Sequence, residues 1–131
     1  SIRAPQWTGG GVALGPKPRS YRFSVNKKIK RIALKSALTT RYNEYKVFVV
    51  EDLTVDEIKT AKIVNLLKGL EVNEKALIVT ADADEKIYKS ARNIKDVTPT
   101  HVGTLNTYDV LKNNVIILSK DAVEKIQEVL A

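Results

Sequence analysis

The chain has 131 residues, a length that fits one domain with a real hydrophobic core. Hydrophobic residues make up 44% of it and charged residues 28%, and no apolar run approaches the ~18 residues of a membrane helix, so a soluble, cytoplasmic protein without a membrane partner is expected. Cysteine is absent, which excludes disulfides and thiolate metal sites, and the net charge of +7 raises the question of where the excess sits.

Residues 1–25 read SIRAPQWTGGGVALGPKPRSYRFSV, with three of the chain's four prolines, four of its six glycines, and no period of 2 or 3.6. Proline removes donors and fixes φ, and Gly9, Gly10 and Gly11 make regular structure entropically costly, so an extended arm is expected here. At ~3.3 Å per residue it could span about 80 Å. The stretch Ser1 to Gly11 lacks the cationic start and apolar centre of a secretory signal. No Met stands at position 1, which suggests an internal fragment.

A single α/β body is expected over residues 26–131. Asn26 is placed to cap a helix running to about Tyr42, with Ile29, Ile32, Ala33 and Ala37 as its apolar stripe and Lys28, Arg31 and Lys35 on another face. Val47-Phe48-Val49-Val50 reads as a buried parallel strand. Thr54 and Glu57 have capping-box spacing ahead of Ile58, Ala61, Val64 and Leu67, which predicts a helix that Gly69 would end. Ala76 to Val79 predicts a strand, Asp84 to Asn93 a helix, and Val97 to Val102 a weaker strand. Asn106 to Leu111 follows as a short helix, Val115 to Leu118 as a strand, and the last helix starts near Asp121. Strands alternating with helices imply a parallel sheet flanked by helices.

The charge is strongly segregated. Residues 1–46 hold eleven Lys and Arg against Glu44 alone, a net +10, whereas the remainder holds eleven basic and fourteen acidic residues, a net −3. A concentrated block of one sign is the footprint of a polyanionic partner. Within the arm, Arg3, Lys17, Arg19 and Arg22 interleave with Trp7, Tyr21 and Phe23, a pairing that neutralises phosphates and stacks on unpaired bases. Glycines at 9–11 allow close backbone approach to a nucleic-acid surface, and Lys17-Pro18-Arg19 holds two cations at a stiff spacing. The bland reading is a disordered basic tail, but Trp beside a glycine triplet is unusual in one.

Other chemistries fit less well. Gly10, Gly15 and Lys17 approximate a phosphate loop, but Pro16 displaces the lysine, removes a donor, and no strand and helix frame the segment. Glu51 and Asp52 follow one predicted strand and Asp82, Asp84 and Glu85 another, where with Thr80 and Lys120 they could hold Mg²⁺ for phosphotransfer. The commoner role of Asp and Thr after a strand is to cap the next helix. His101 has no evident base or ligand partner.

Arg3-Ala4-Pro5-Gln6-Trp7 through Gly9-Gly10-Gly11, then Gly15-Pro16-Lys17-Pro18-Arg19 and Tyr21, resemble the bacterial-type fourth protein of the large ribosomal subunit, the L-four family. Asn26-Lys27-Lys28, Ala33 to Leu38, Lys59-Thr60, Ala91-Arg92-Asn93, Leu105 to Asp109 and Ala122 to Lys125 continue the resemblance in order over essentially the whole chain. Thr8 departs from an arginine common after the tryptophan, and Ser20 from a frequent aspartate. The resemblance implies an α/β body on the subunit surface and a long loop penetrating rRNA toward the peptide exit tunnel, of which residues 1–25 are the returning limb. The family's opening strand and outgoing limb would then precede Ser1.

These readings converge on a non-catalytic, cofactor-free and metal-free rRNA-binding constituent of the large subunit that supports its assembly. Its expected partners are large-subunit rRNA and neighbouring ribosomal proteins. Arg3, Lys17, Arg19, Arg22, Lys27, Lys28, Arg31 and Lys35 are the expected phosphate contacts, Trp7 and Tyr21 the stacking groups, Gly9, Gly10 and Gly11 the points of close approach, and Arg92 a supplementary contact. An alternative implied by the resemblance is a repressor that binds its own mRNA leader with the same face; the Mg²⁺-dependent phosphotransfer domain built on Asp82 and Asp84 is a further one.

Overall fold

Val47–Val50 (β1), Ala76–Thr80 (β2), Val97–His101 (β3) and Val115–Ser119 (β4) form one sheet in the order β1-β4-β2-β3, with every pairing parallel, in a computed structural model that describes residues 1–131. The helices are α1 (Lys27–Asn43), α2 (Thr60–Gly69), α3 (Glu85–Ala91), α4 (Thr107–Lys112) and α5 (Lys120–Leu130), with a 3-10 turn at Val102–Thr104. No helix is long and apolar enough to cross a membrane. The expected α/β class and parallel sheet are therefore present.

The sheet has two apolar faces because its central strands are buried on both sides. All five β2 residues are buried, as are Val115 to Leu118 of β4. Side chains alternate across a strand, so Ala76, Ile78, Val115 and Ile117 meet Ile63 of α2 and Ile87 and Ala91 of α3 on one face. On the other, Leu77, Val79, Ile116 and Leu118 meet Ala37 of α1, Val110 of α4 and Ala122 of α5. The chain steps from β1 to β2 to β3 in one direction and then returns to β4. Right-handed crossovers in opposite directions place their helices on opposite faces, which is the distribution observed.

Several elements differ from the sequence expectation, each for a tertiary reason. β1 is an edge strand rather than a buried one, with Val49 more than half exposed. The stripe of α1 is Leu34, Ala37 and Leu38, and the expected Ile29 and Ile32 face solvent. The cause is overhang: Lys27 to Ala33 are all exposed, so the first two turns project beyond the body and the helix meets the sheet only from Leu34. Asn26 stands at the N-cap position but makes no side-chain cap bond. The Thr54–Glu57 capping box does not form either. Leu53 and Val55 alternate into the core in extended chain, which forbids a helix there. Thr54 instead donates its N–H and hydroxyl to Asp52 Oδ1, at 2.7 and 2.6 Å, and α2 begins at Thr60 after the Lys59 N–H bonds the buried Ser90 Oγ at 3.1 Å.

The connections into β1, β2 and β3 share one device. Tyr45, Glu71 and Asp96 adopt φ of 57°, 55° and 62°, the left-handed region, between each helix and the strand that follows it. After α1, the Lys46 N–H reaches Arg41 O at 3.0 Å; after α2, the Val72 N–H reaches Leu67 O at 3.0 Å. Both are Schellman closures built without glycine, and Gly69 is simply the last residue of α2. The later helices begin as their sequences indicate. Asp84 Oδ1 accepts from Lys86 and Ile87, Asn106 Oδ1 from Asp109, and Ser119 Oγ from Ala122.

Candidate nucleic-acid interface

No helix or strand forms before Lys27, yet the arm is not uniformly extended as expected. Residues 1–11 close into a knot of turns. The Ala4 N–H donates to Ser1 O at 3.2 Å, Trp7 to Ala4 O at 3.0 Å, Gly10 to Trp7 O at 3.0 Å, and Gly11 back to Arg3 O at 2.8 Å. Gly9 takes φ 73°, and a Cβ on Gly10 would stand 2.0 Å from Ala4 O and 2.9 Å from Trp7 O. The chain's own path thus requires glycine at position 10 and favours it at position 9. Gly11 carries no such restriction, since a Cβ there meets only Arg3 O at 3.6 Å.

Beyond the knot, residues 12–25 make no backbone–backbone hydrogen bond, and the one local bond is Arg22 N–H to Ser20 Oγ at 3.3 Å. This stretch can span about 46 Å at ~3.3 Å per residue. It presents Val12, Leu14, Tyr21 and Phe23 at 76–99% exposure, and no hydrogen bond ties the arm to the body. Arg19 lies over the Tyr21 ring at 4.5 Å, a ready cation–π pair.

The arm feeds directly into the overhanging turns of α1. Lys28, Arg31 and Lys35 line one side as their spacing requires, and all are exposed. Lys27 and Lys30 are equally exposed because nothing covers these turns; Lys30 does not share the row of the other three and escapes a spacing argument. The first turn of α1 contains no acidic residue, so its lysines crowd the positive end of the helix dipole. An anionic partner would relieve that unfavourable placement.

Not every cation of residues 1–46 belongs to this surface. Arg41 turns inward: Nε donates to Val110 O at 3.2 Å, one terminal nitrogen to Leu111 O at 2.8 Å, and the other pairs with Glu44 at 2.8 Å. Lys46 pairs with Glu74 at 2.9 Å, which holds the Glu74 carboxyl below its ordinary value. Nine cations remain without an ionic partner: Arg3, Lys17, Arg19, Arg22, Lys27, Lys28, Lys30, Arg31 and Lys35. Arg92 stands apart from them. It follows α3, on the opposite sheet face from α1, and lies over Tyr88 at 5.6 Å.

The carboxylates at the strand ends do converge on a cleft of about 670 Å³ that includes Glu51, Asp52, Asp82, Asp84 and Asp121. Most already have intramolecular work. Asp84 caps α3, Asp82 pairs with Lys125, and Glu85 pairs with Lys89, which depresses the Glu85 carboxyl. The Thr54 hydroxyl, then its N–H, depresses Asp52. No three of the chain's Asp, Glu and His residues are grouped so as to hold a metal ion, and Thr80 Oγ1 donates to the Asp82 and Thr100 carbonyls. Asp84 caps a helix, Asp52 closes a turn with Thr54, and Asp82 and Glu85 are held in ion pairs.

A helix-covered parallel sheet that holds out an unpartnered cationic strip defines an α/β domain with a basic extension. The chain belongs to the Ribosomal protein L4/L1 family, which it matches over residues 1–129. Among its curated relatives, the large ribosomal subunit protein uL4 of Agathobacter rectalis is 55% identical, that of Ruminiclostridium cellulolyticum 50% and that of Oceanobacillus iheyensis 49%, each aligned over 131 residues. These alignments cover 100% of this chain and 63% of each relative's length.

Proposed function

We propose that the chain is a structural, non-catalytic constituent of the large ribosomal subunit that binds rRNA through its arm and the overhang of α1. The relatives, each a large ribosomal subunit protein uL4, support residence in that subunit, where large-subunit rRNA and neighbouring ribosomal proteins are the partners this reading assigns. The observation that carries the RNA contact is the set of nine unpaired cations, Arg3 and eight more between Lys17 and Lys35, on a segment that buries almost nothing against its own body. Phosphates satisfy such a strip, and rRNA supplies them at high density. The α/β body anchors it, and the arm is read as one limb of a loop directed toward the peptide exit tunnel. By locking rRNA segments together, the arm supports subunit assembly.

Charge reversal tests the α1 part. Lys28→Glu, Arg31→Glu and Lys35→Glu together should weaken binding to a large-subunit rRNA fragment by about tenfold or more, with circular dichroism unchanged. Unaltered affinity removes α1 from the interface. The same titration against the protein's own mRNA leader tests the repressor reading, which requires the leader and rRNA to compete.

A further inference from the structure

We infer that the knot at residues 1–11 is a preformed receptor for one unpaired nucleobase, with Trp7 as its stacking surface. The inference rests on the RNA-binding reading above and goes further, because it assigns a ligand to a particular site. Trp7 is 60% exposed, although its backbone is clamped from both sides. The Trp7 main-chain N–H donates to Ala4 O and the Trp7 carbonyl accepts from the Gly10 N–H, at 3.0 Å each. A large apolar ring on a fixed backbone loses little freedom on binding, which distinguishes it from Phe23 in the unbonded stretch that follows.

Ser1, Ile2, Trp7 and Thr8 line a shallow, open cleft of about 540 Å³. Ile2 is 86% exposed and supplies an apolar wall, while the hydroxyls of Ser1 and Thr8 offer donors and acceptors at the rim. Arg3, whose carbonyl closes the knot, adds a cation in the same turn for the adjoining phosphate. A flat aromatic heterocycle flanked by an anion fits these features, and a base inside a duplex cannot present its face to them. The ligand is therefore a loop or bulge nucleotide of RNA.

Gly10 is the keystone. A side chain there collides with Ala4 O at 2.0 Å, a backbone atom that cannot give way without opening the turns that hold Trp7. Gly10→Ala should thus remove the receptor without touching either the indole or any cation.

Trp7 is the only tryptophan in the chain, so its emission reports on this site alone. The full chain is titrated with an rRNA fragment carrying an unpaired loop, and with the same fragment fully paired. Binding is followed independently by the anisotropy of labelled RNA. The loop fragment should quench Trp7 emission as it saturates, and the paired fragment should bind with little quenching. Trp7→Ala and Gly10→Ala should each weaken loop binding by about tenfold, Trp7→Phe should retain most of it, and all three should lower paired-fragment affinity far less and keep the far-UV circular dichroism of the helices. Loop RNA that saturates with unaltered Trp7 emission, or that binds Trp7→Ala as tightly as the parent, overturns the receptor and leaves the cationic interface standing. Absence of RNA binding to the parent chain overturns both.

Discussion

Salt dependence offers a quantitative test of which cations face RNA. Each phosphate neutralised contributes about −0.7 to the slope of log affinity against log salt on single strands and about −0.9 on duplex. Nine cations of residues 3–35 lack an ionic partner, and if about six touch phosphates the slope should lie near −4 to −5. Replacing Lys28, Arg31 and Lys35 by Ala removes three of them and should flatten the slope by roughly 2 to 3. Lys46→Ala is the control, because that ammonium is held by Glu74 at 2.9 Å and should leave the slope within error of the parent. The assay is RNA affinity by anisotropy over a series of KCl concentrations. A parent slope near zero, or a Lys46→Ala change comparable to that of the triple variant, refutes the reasoning.

Arg41→Ala should destabilise the fold by about 2 kcal/mol, since it strips charge-assisted bonds from the Val110 and Leu111 carbonyls that join α1 to α4; a urea midpoint within error of the parent would contradict this. Glu71→Gly should stabilise by about 0.5–1 kcal/mol by relieving a left-handed backbone at φ 55°, read from the same melts, and a lower midpoint would show that the Glu71 side chain matters more than its backbone. The Glu74 carboxyl should titrate below 4.5, because Lys46 favours its charged form. The stability this confers is present above the unfolded-state value and lost as pH falls through the depressed folded-state value. In Lys46→Ala, carboxyl NMR should show the titration moving back up toward 4.5, and an unmoved titration would break the assignment. Amides of Lys27 to Arg31 should exchange quickly in the free chain and slow on RNA binding, since the overhang gathers cations at a helix N-terminus with no packing beneath it. Protection already complete without RNA would count against an anion-dependent overhang.

The strands of the sheet centre were legible because β2 and β4 are continuous apolar runs, a signal that needs no partner to be read. The starts of α3 and α4 were legible for a local reason too: Asp84 and Asn106 meet their donors within three residues. What failed was long-range. The spacing of Thr54 and Glu57 is that of a capping box, but Leu53 and Val55 gain more by entering the core than the local helix would. Ile29 and Ile32 sit at helical intervals in a part of α1 that the sheet does not reach. In the arm, composition located the cationic residues, and the glycine triplet pointed to close approach by a nucleic acid. That the closest approach is to Ala4 O, within the chain itself, depends on a fold of eleven residues that no periodicity announces. Arg41 and Lys46 illustrate the limit of counting charge: both lie in the basic third, and both are spent on the body.

The most direct test is to map RNA crosslinks from Trp7 and Arg19 in the isolated large subunit containing the full-length protein. Crosslinks to rRNA from both positions, with protection of the nucleotides concerned, are the expected result. Positions 7 and 19 open to solvent in the native particle, with no RNA within reach, would contradict the central claim that this strip exists to be completed by phosphates.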